Sequence, residues 1–343
     1  MYFIGVDHHK QWSVMSVLGE VGPEIKFDRV NNRREAVRRF LEGFEPFQAA
    51  IEAGYSSSMM ADLLRELGGE VKMANPKGLK AIAQARIKTD KRDARTLAKY
   101  LRSGDIPEVW QRGEENRRAQ RVMRLRAFWV TKRTELKNKI RVLLAQQREE
   151  IRLEVESRDE GLFSGKGLEY LGRLVLPELD QMILDDLLGS YREVQDHLWK
   201  TNGIVEKLYE ELGEARRIDT VPGFATTLSV LVAVEIADIE RFESPAHLHA
   251  YAGLIPSTHS SGGRTHHGHI TKEGNPWLRW AVLEAVFPAT QASLEIRGLY
   301  DRLARRKNPN IAKVAVARRL LAIIYRVLKE KRNYIKEMKT SEA

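Results

Sequence analysis

The chain has 343 residues, of which 57 are Lys or Arg and 47 are Asp or Glu, giving a formal net charge of +10. Its hydrophobic fraction of 43% is enough to bury a core, which excludes a chain that is disordered throughout. The chain has no Cys, so disulfides, thiolate zinc sites and cysteine nucleophiles are excluded.

The amino terminus and the apolar runs indicate where in the cell the protein is located. A charged residue at position 7 is not typical of a signal peptide. No apolar run approaches the ~20 residues of a membrane span. We therefore expect a cytoplasmic protein with no membrane partner.

Charge is distributed unevenly along the chain. Residues 111–150 hold 12 Lys and Arg against 5 Asp and Glu, and residues 301–335 hold 11 against 2. Residues 151–215 are acidic, with 7 against 15. Any single run could be a solvated helix face, but two large basic segments favour a nucleic-acid partner.

The first 110 residues alternate between strand and helix patterns. Runs rich in β-branched and aromatic residues predict strands at 2–7, 12–18, 25–30, 47–51 and 70–74. Helical spacing or helix-start signals predict helices at 34–44, at 57–67, from 77, and at 90–102. This order, βββ-α-β-α-β-α, predicts an α/β domain of the ribonuclease H-like type over 1–110.

The middle of the chain predicts long helices. Residues 114–150 and 179–212 have helical apolar spacing, and a Gly-rich break at 161–172 separates them. This pattern predicts an antiparallel coiled-coil-like arm over 111–214 that mediates oligomerisation or binds nucleic acid.

The last part predicts a mostly α-helical domain over 215–335, followed by a tail at 336–343. Residues 220–224 resemble half of a helix-hairpin-helix element, in which a Gly turn offers backbone N–H groups to phosphate. Residues 256–275 are polar and Gly-rich, which predicts a long functional loop. Helices are expected at 228–236, 276–305 and 310–333.

Four carboxylates stand at informative places in the first domain. Asp7 ends the first predicted strand, and Glu52 directly follows the fourth. Asp90 and Asp93 are three residues apart, so they share one helix face. In a ribonuclease H-like fold these positions meet at one sheet edge, where oxygen ligands select Mg²⁺ or Mn²⁺. Taken singly, each could equally be a helix cap, a turn residue or a surface ion-pair partner.

Short motifs support this interpretation and extend it to the second half. In order, they are IGVDHHK at 4–10, IEAG at 51–54, NP at 75–76, KTDKRDAR at 88–95, VPG at 221–223, AGLIP at 252–256, SG at 261–262 and KEGN at 272–275. With these motifs the chain resembles the transposases of insertion-sequence family one-ten. These carry a RuvC-like DEDD domain and a C-terminal serine-bearing domain. The likeness spans nearly the whole chain except the arm.

The resemblance implies specific roles. Asp7, Glu52, Asp90 and Asp93 match the DEDD metal ligands, and Ser261 matches the nucleophile that joins covalently to DNA. Family members act as oligomers, here a dimer or tetramer, in which one subunit's metal site completes the serine site of another. Some members are guided by a structured non-coding RNA, the bridge RNA. The resemblance also implies action at the nucleoid.

Basic residues beside these motifs are candidate nucleic-acid contacts. They are Lys88, Lys91, Arg92, Arg264 and Lys272.

Two local features leave alternatives open. Ser260 precedes Ser261, so either could be the nucleophile, although counting from Pro256 favours Ser261. His8 and His9 follow Asp7, where smaller residues are common in this family. Four further His lie in the 256–275 segment, at 259, 266, 267 and 269, where phosphate contact or proton transfer is favoured over a zinc site.

The predicted function is therefore a Mg²⁺-dependent DNA transposase or recombinase that acts through a phosphoserine intermediate. The main alternative is a metal-dependent nuclease or junction resolvase in which Ser261 is passive. A third hypothesis is a non-catalytic nucleic-acid-binding relative.

Overall fold

The computed structural model describes residues 1–82, 90–158, 161–261 and 264–335, and it describes side chains within these ranges except at 81–92 and 258–267. The chain divides into two compact units, Met1–Arg112 and Gly113–Ala343.

The first unit is built on a five-stranded mixed sheet in the order β3-β2-β1-β4-β5. Its strands are β1 Tyr2–His8, β2 Trp12–Leu18, β3 Glu24–Asn31, β4 Phe47–Glu52 and β5 Glu70–Ala74. β1, β2 and β3 form an antiparallel meander, whereas β4 and β5 continue the sheet in parallel with β1. The predicted strands of this unit are therefore confirmed.

Helices cover both faces of this sheet. They are α1 Arg34–Leu41, α2 Ser57–Glu66, α3 Pro76–Ile82 and α4 Asp90–Ser103. Ile4, Val6 and Ile51 are buried with α1 and α2 on one face. On the other face Ala50 is buried with α3 and α4. Successive side chains of a strand point to opposite faces of the sheet. The odd-numbered residues of β1 and the even-numbered residues of β4 therefore lie on the face that α4 covers, called here the α4 face.

The second unit is mostly helical. Its helices are α5 Glu114–Ala145, α6 Glu149–Ser157, α7 Gly165–Arg173, α8 Glu178–Glu211, α9 Gly213–Asp219, α10 Thr226–Ile236, α11 Pro245–Tyr251, α12 Pro276–Glu284, α13 Val286–Ala292, α14 Leu294–Arg306 and α15 Pro309–Lys329. Its strands are β6 Pro256–Ser261 and β7 Arg264–Ile270.

The two long helices, α5 and α8, run antiparallel. Arg126 in the first half of α5 bonds Asn202 in the second half of α8, and Gln147 just beyond α5 bonds Asp180 in the first turn of α8. The apolar residues at the far end of this pair form a separate small core with α7. The first turns of α5 instead bury Ala119 and Met123 in the main core with α9 to α15.

Three expectations about the second unit were wrong. The Gly-rich stretch at 161–172 contains most of α7, because the Ser164 side chain caps that helix and Leu171 is buried. The expected loop at 256–275 forms the antiparallel pair β6–β7. A two-stranded ribbon is held by backbone pairing and needs no alternating apolar face. The helix expected at 276–305 is three helices, interrupted at Ala285 and Ser293.

Candidate functional site

Asp7 and Glu52 lie side by side at one edge of the sheet. Val6 pairs with Ile51 in the parallel β1–β4 register, so the next residue of each strand is Asp7 and Glu52. Both belong to the α4 face, because their neighbours on the opposite face, Val6 and Ile51, are buried with α1 and α2. The sequence placed Glu52 just after β4, and the structure has it as the last residue of that strand.

Helix α4 brings its acidic end to the same edge. A Cβ added to Gly5 would lie 1.9 Å from the Ala94 carbonyl oxygen and 2.5 Å from the Ala98 nitrogen, so α4 rests directly on the β1 backbone. At the other end of α4, Arg102 donates to the Gly22 carbonyl, 3.0 Å away in the β2–β3 turn. Since that turn lies at the amino end of β1, α4 runs antiparallel to β1.

Asp93 is consequently on the first turn of α4, towards the Asp7 end of β1. It directly precedes Ala94 and is half-buried. Asp90, three residues earlier, begins the helix, and its side chain lies outside the described residues. The structure thus brings Asp7, Glu52 and the acidic end of α4 to one edge.

Two histidines surround the end of β1. His9 Nε2 lies 3.1 Å from Asp7 Oδ2, and the His9 ring packs on Trp12 with centroids 4.0 Å apart. His8 bonds Ser13 Oγ through Nδ1 at 2.9 Å and Ser56 Oγ through Nε2 at 3.0 Å. Burial, and secondarily the neighbouring His9, lowers the pKa of His8, which favours its neutral form. His8 therefore links β1 to β2 and to the residue before α2.

The donor set at this edge is one that Mg²⁺ or Mn²⁺ accepts. Asp7, Glu52 and Asp93 offer only oxygen atoms, which hard divalent cations prefer. Among the side chains that the structure describes, no three His, Asp or Glu are grouped closely enough to hold a metal ion, and Asp90 is not one of those side chains.

The predicted nucleophile lies in the β6–β7 hairpin. Ser261 ends β6 and pairs with Arg264, and Ser260 pairs with Thr265. The side chains of Ser260, Ser261 and Arg264 lie outside the described residues.

The other predicted nucleic-acid contacts are only partly described. Lys88 lies outside the described residues, and so do the side chains of Lys91 and Arg92 on α4. Lys272 lies just beyond β7 with a φ of 53°, and its carbonyl accepts a bond from Arg279 at 3.2 Å.

Two family models match the two halves of the chain. One, described as a transposase model and named for the DEDD transposases of IS110, matches residues 4–148. The other, described as the transposase IS116/IS110/IS902 family, matches residues 215–301. The chain belongs to the IS110 family of transposases. The first match spans Asp7, Glu52, Asp90 and Asp93, and the second spans Ser261.

Curated relatives of this transposase agree with that membership. A probable family 20 transposase of Pseudomonas aeruginosa is 28% identical over 96% of this chain and 98% of its own length. The transposase for insertion sequence element IS1111A of Coxiella burnetii is 25% identical over 78% of this chain and 74% of its own. A pilin gene-inverting protein of Moraxella bovis is 26% identical over 78% of this chain and 76% of its own.

Sequence reasoning missed a buried polar cluster in the second unit of the transposase. Glu235 on α10 is completely buried and forms an ion pair with Arg124 of α5. Gln120 and Asn275 also bond its carboxylate, at 3.2 and 2.6 Å. A lone acidic residue in the apolar run TTLSVLVAVEI was the available signal, but nothing in the sequence indicated a partner more than 100 residues away.

No helix in the described ranges of the transposase is long and apolar enough to cross a membrane.

Proposed function

We propose that this transposase cleaves and exchanges DNA strands using a ribonuclease H-like metal site and a serine nucleophile. Asp7, Glu52, Asp90 and Asp93 would hold Mg²⁺ or Mn²⁺, and Ser261 would attack the DNA. The observation that carries the proposal is the contact of α4 with Gly5, which directs the acidic end of α4 to the edge occupied by Asp7 and Glu52.

A divalent cation bound by these carboxylates would polarise a phosphodiester and stabilise the charge that develops on it. The protein's own contribution is to fix the ligands. Gly5 sets the height of α4 above the sheet. The bond from His9 orients one oxygen of Asp7, as outer-shell histidines and carboxylates commonly do for one another at metal sites.

The serine step transfers a phosphoryl group without external energy. A bond forms between the Ser261 oxygen and phosphorus while a phosphorus–oxygen bond of the DNA backbone breaks. The serine proton passes to the departing DNA oxygen. A DNA hydroxyl then attacks the phosphoserine, which restores the serine and joins the new strand. Two relatives are pilin gene-inverting proteins, and inversion of a gene is a DNA rearrangement, which supports strand exchange over simple hydrolysis.

Basic residues would bind the nucleic acids. Lys88, Lys91 and Arg92 flank the acidic end of α4 in sequence, and Arg264 and Lys272 belong to the hairpin segment. Phosphate contacts by such residues position DNA without reading its sequence. Sequence choice would come from a structured guide RNA, and the active form would be a dimer or tetramer with sites shared between subunits.

The alternative is a metal-dependent nuclease or junction resolvase, and a covalent-adduct assay distinguishes the two. Purified protein is mixed with Mg²⁺, RNA transcribed from the sequence flanking the reading frame, and labelled DNA carrying the junction of the element ends. Denaturing gels compare the wild type with Ser261→Ala, Asp90→Ala and the matched control Ser260→Ala.

We expect a DNA-linked protein band that is lost in Ser261→Ala and Asp90→Ala but kept in Ser260→Ala. Free cleavage products without an adduct, unaffected by Ser261→Ala, would instead establish the nuclease. Loss of the adduct in Ser260→Ala alone would move the nucleophile by one residue.

A further inference from the structure

Glu235 occupies an unusual position for a carboxylate. It is completely buried near the end of α10, in a stretch whose last eight residues are all buried. Burial of a charge is unfavourable unless the charge is paired and hydrogen-bonded. Arg124 supplies the opposite charge, and its guanidinium also stacks on Trp277, 3.9 Å from the ring centroid.

Asn275 connects this carboxylate to the β6–β7 segment. Its Nδ2 donates to Glu235 at 2.6 Å and to the Tyr251 hydroxyl at 3.2 Å. Its Oδ1 accepts from the backbone N–H groups of Trp277 and Leu278, which caps α12. One side chain therefore joins the end of the hairpin segment, the start of α12 and the buried charge.

The base of the hairpin is held on both strands. The Ile255 carbonyl, just before β6, accepts from the Thr271 N–H just after β7, at 2.9 Å. The Asn275 N–H donates to the Tyr251 carbonyl at 2.7 Å. Gly274 has a φ of 110°, and a Cβ there would lie 2.3 Å from that same carbonyl. The chain is thus held in place both before β6 and after β7, and Asn275 is the last residue after β7 that holds it.

We propose that Glu235 is a positioning residue for the hairpin that carries Ser261. It acts through Asn275: the carboxylate orients the amide so that its oxygen caps α12 and its nitrogen holds the hairpin base. Because Glu235 is fully enclosed and paired with Arg124, it touches neither DNA nor metal. The catalytic part of this inference rests on the serine chemistry proposed above, whereas the positioning part does not.

Glu235→Gln is the informative variant. Glutamine keeps the shape, but its new NH₂ group faces donors from Arg124, Gln120 and Asn275, so at least one bond is replaced by a donor–donor contact. The control is Tyr325→Phe, which removes a buried hydroxyl that bonds the carbonyls of Phe242 and Glu243 in the same unit.

The first measurement is amide hydrogen exchange of the full-length protein over peptides covering residues 250–280. We expect the amides of Thr271, Lys272 and Asn275 to exchange at least about 10-fold faster in Glu235→Gln, and at the wild-type rate in Tyr325→Phe. Unchanged exchange in Glu235→Gln, or equal acceleration in both variants, would overturn the proposal.

A swap variant tests the mechanism directly. In Glu235→Gln/Asn275→Asp the carboxylate moves to position 275, where it can accept from the glutamine amide and still cap α12. Slow exchange at the hairpin base should return. Failure of the swap to slow exchange below that of Glu235→Gln would mean that the 235–275 bond is not what holds the hairpin.

The second measurement is the rate of adduct formation. We expect about a 100-fold loss in Glu235→Gln, the size of effect that small misplacements of reacting groups produce. If the wild type forms no adduct while Glu235→Gln still loosens the hairpin, the serine chemistry fails and the positioning role of Glu235 stands.

Discussion

The two units of this transposase use carboxylates in opposite ways. At the edge of the first unit, Asp7 and Glu52 stand on adjacent strands and Asp93 on the helix above, and Asp7 keeps about a sixth of its side chain exposed, at 17%. In the second unit, Glu235 is fully buried against Arg124, Gln120 and Asn275.

This difference separates carboxylates at a partly exposed sheet edge from a carboxylate that is enclosed in the folded core. A buried carboxylate that is paired with Arg124 and accepts hydrogen bonds from Gln120 and Asn275 contributes to shape, and its removal should cost stability. Under the proposed function, Asp7, Glu52 and Asp93 would help to hold a cation, so their removal should cost activity. Substitutions in the two units should therefore give different readouts.

The largest effect is expected from Arg124→Met. Removing one partner of a buried ion pair leaves an uncompensated charge and costs about 3–5 kcal/mol of unfolding free energy. Adding Glu235→Gln should recover about half of that loss, because the charge is then gone. Urea unfolding of both variants measures this.

The matched control for Arg124 is Arg118→Met, on the same helix, whose exposed guanidinium pairs with Glu114. This substitution should lower the unfolding free energy by less than about 1 kcal/mol. Equal losses for the two arginines would mean that burial of Glu235 does not distinguish it from a surface carboxylate.

The next-largest effect is expected on DNA cleavage and not on stability. Asp93→Asn should slow Mg²⁺-dependent DNA cleavage by more than about 100-fold, since even outer-shell partners of a metal are worth 10–100-fold. Its melting temperature should match that of the wild type. Single-turnover cleavage and calorimetry test the two statements, with Asp105→Asn, in the exposed turn after α4, as control. Undiminished cleavage would remove Asp93 from the proposed ligands.

A pH effect should follow from a second buried group of the helical unit. Burial, and secondarily the Arg318 charge, lowers the pKa of His249 to about 4. The unfolded chain then binds a proton between pH 6.5 and 4 that the folded protein does not, so stability falls as the pH falls through this range. The loss from pH 7 to 5 is about 2 kcal/mol.

The unfolding free energy of His249→Gln, measured at pH 7 and pH 5, isolates the contribution of His249 to the pH dependence. The variant should lose that part of the pH dependence, whereas His247→Gln, at an exposed neighbour, should keep it. An identical pH dependence in His249→Gln would exclude His249 as its source.

The smallest effect is expected at a half-exposed ion pair of the first unit. Arg95 bonds Glu24 at 2.7 Å, with 45% and 25% of the two side chains exposed. Its guanidinium also lies 4.3 Å from the Phe27 ring centroid. Because water screens such pairs, Arg95→Met should cost less than about 1 kcal/mol in urea unfolding. A loss comparable to that of Arg124→Met would contradict the proposed contrast.

The sequence predicts the features that depend on interactions between residues close together in the chain, and it misses those that depend on distant residues. Strand and helix order in the first unit is local and was predicted, and the structure has Asp7 and Glu52 on adjacent strands and Asp93 on the first turn of α4. The hairpin was missed because its residues are polar on both strands and pair only through the backbone. The Glu235 cluster was missed because it joins α5, α10 and the segment before α12.

Capping residues explain the remaining errors. Ser164 starts a helix inside a stretch whose Gly content suggested a break, and Ser293 starts one inside a stretch that was predicted to be helical throughout. A single side-chain oxygen at a helix start outweighs weak periodicity. The metal ligation and the nucleophile stay predictions that the adduct assay tests, and the guide RNA stays a prediction.

The contact at Gly5 has a consequence for how this protein tolerates sequence change. Because main chain rests on main chain there, the height of α4 above β1 does not depend on the rotamers or volumes of the surrounding core residues. Substitutions elsewhere in that core can change how often the unit unfolds without changing the spacing between Asp7 and the α4 carboxylates. A mobile element that accumulates mutations could thus lose stability gradually while each folded copy keeps the same cutting geometry.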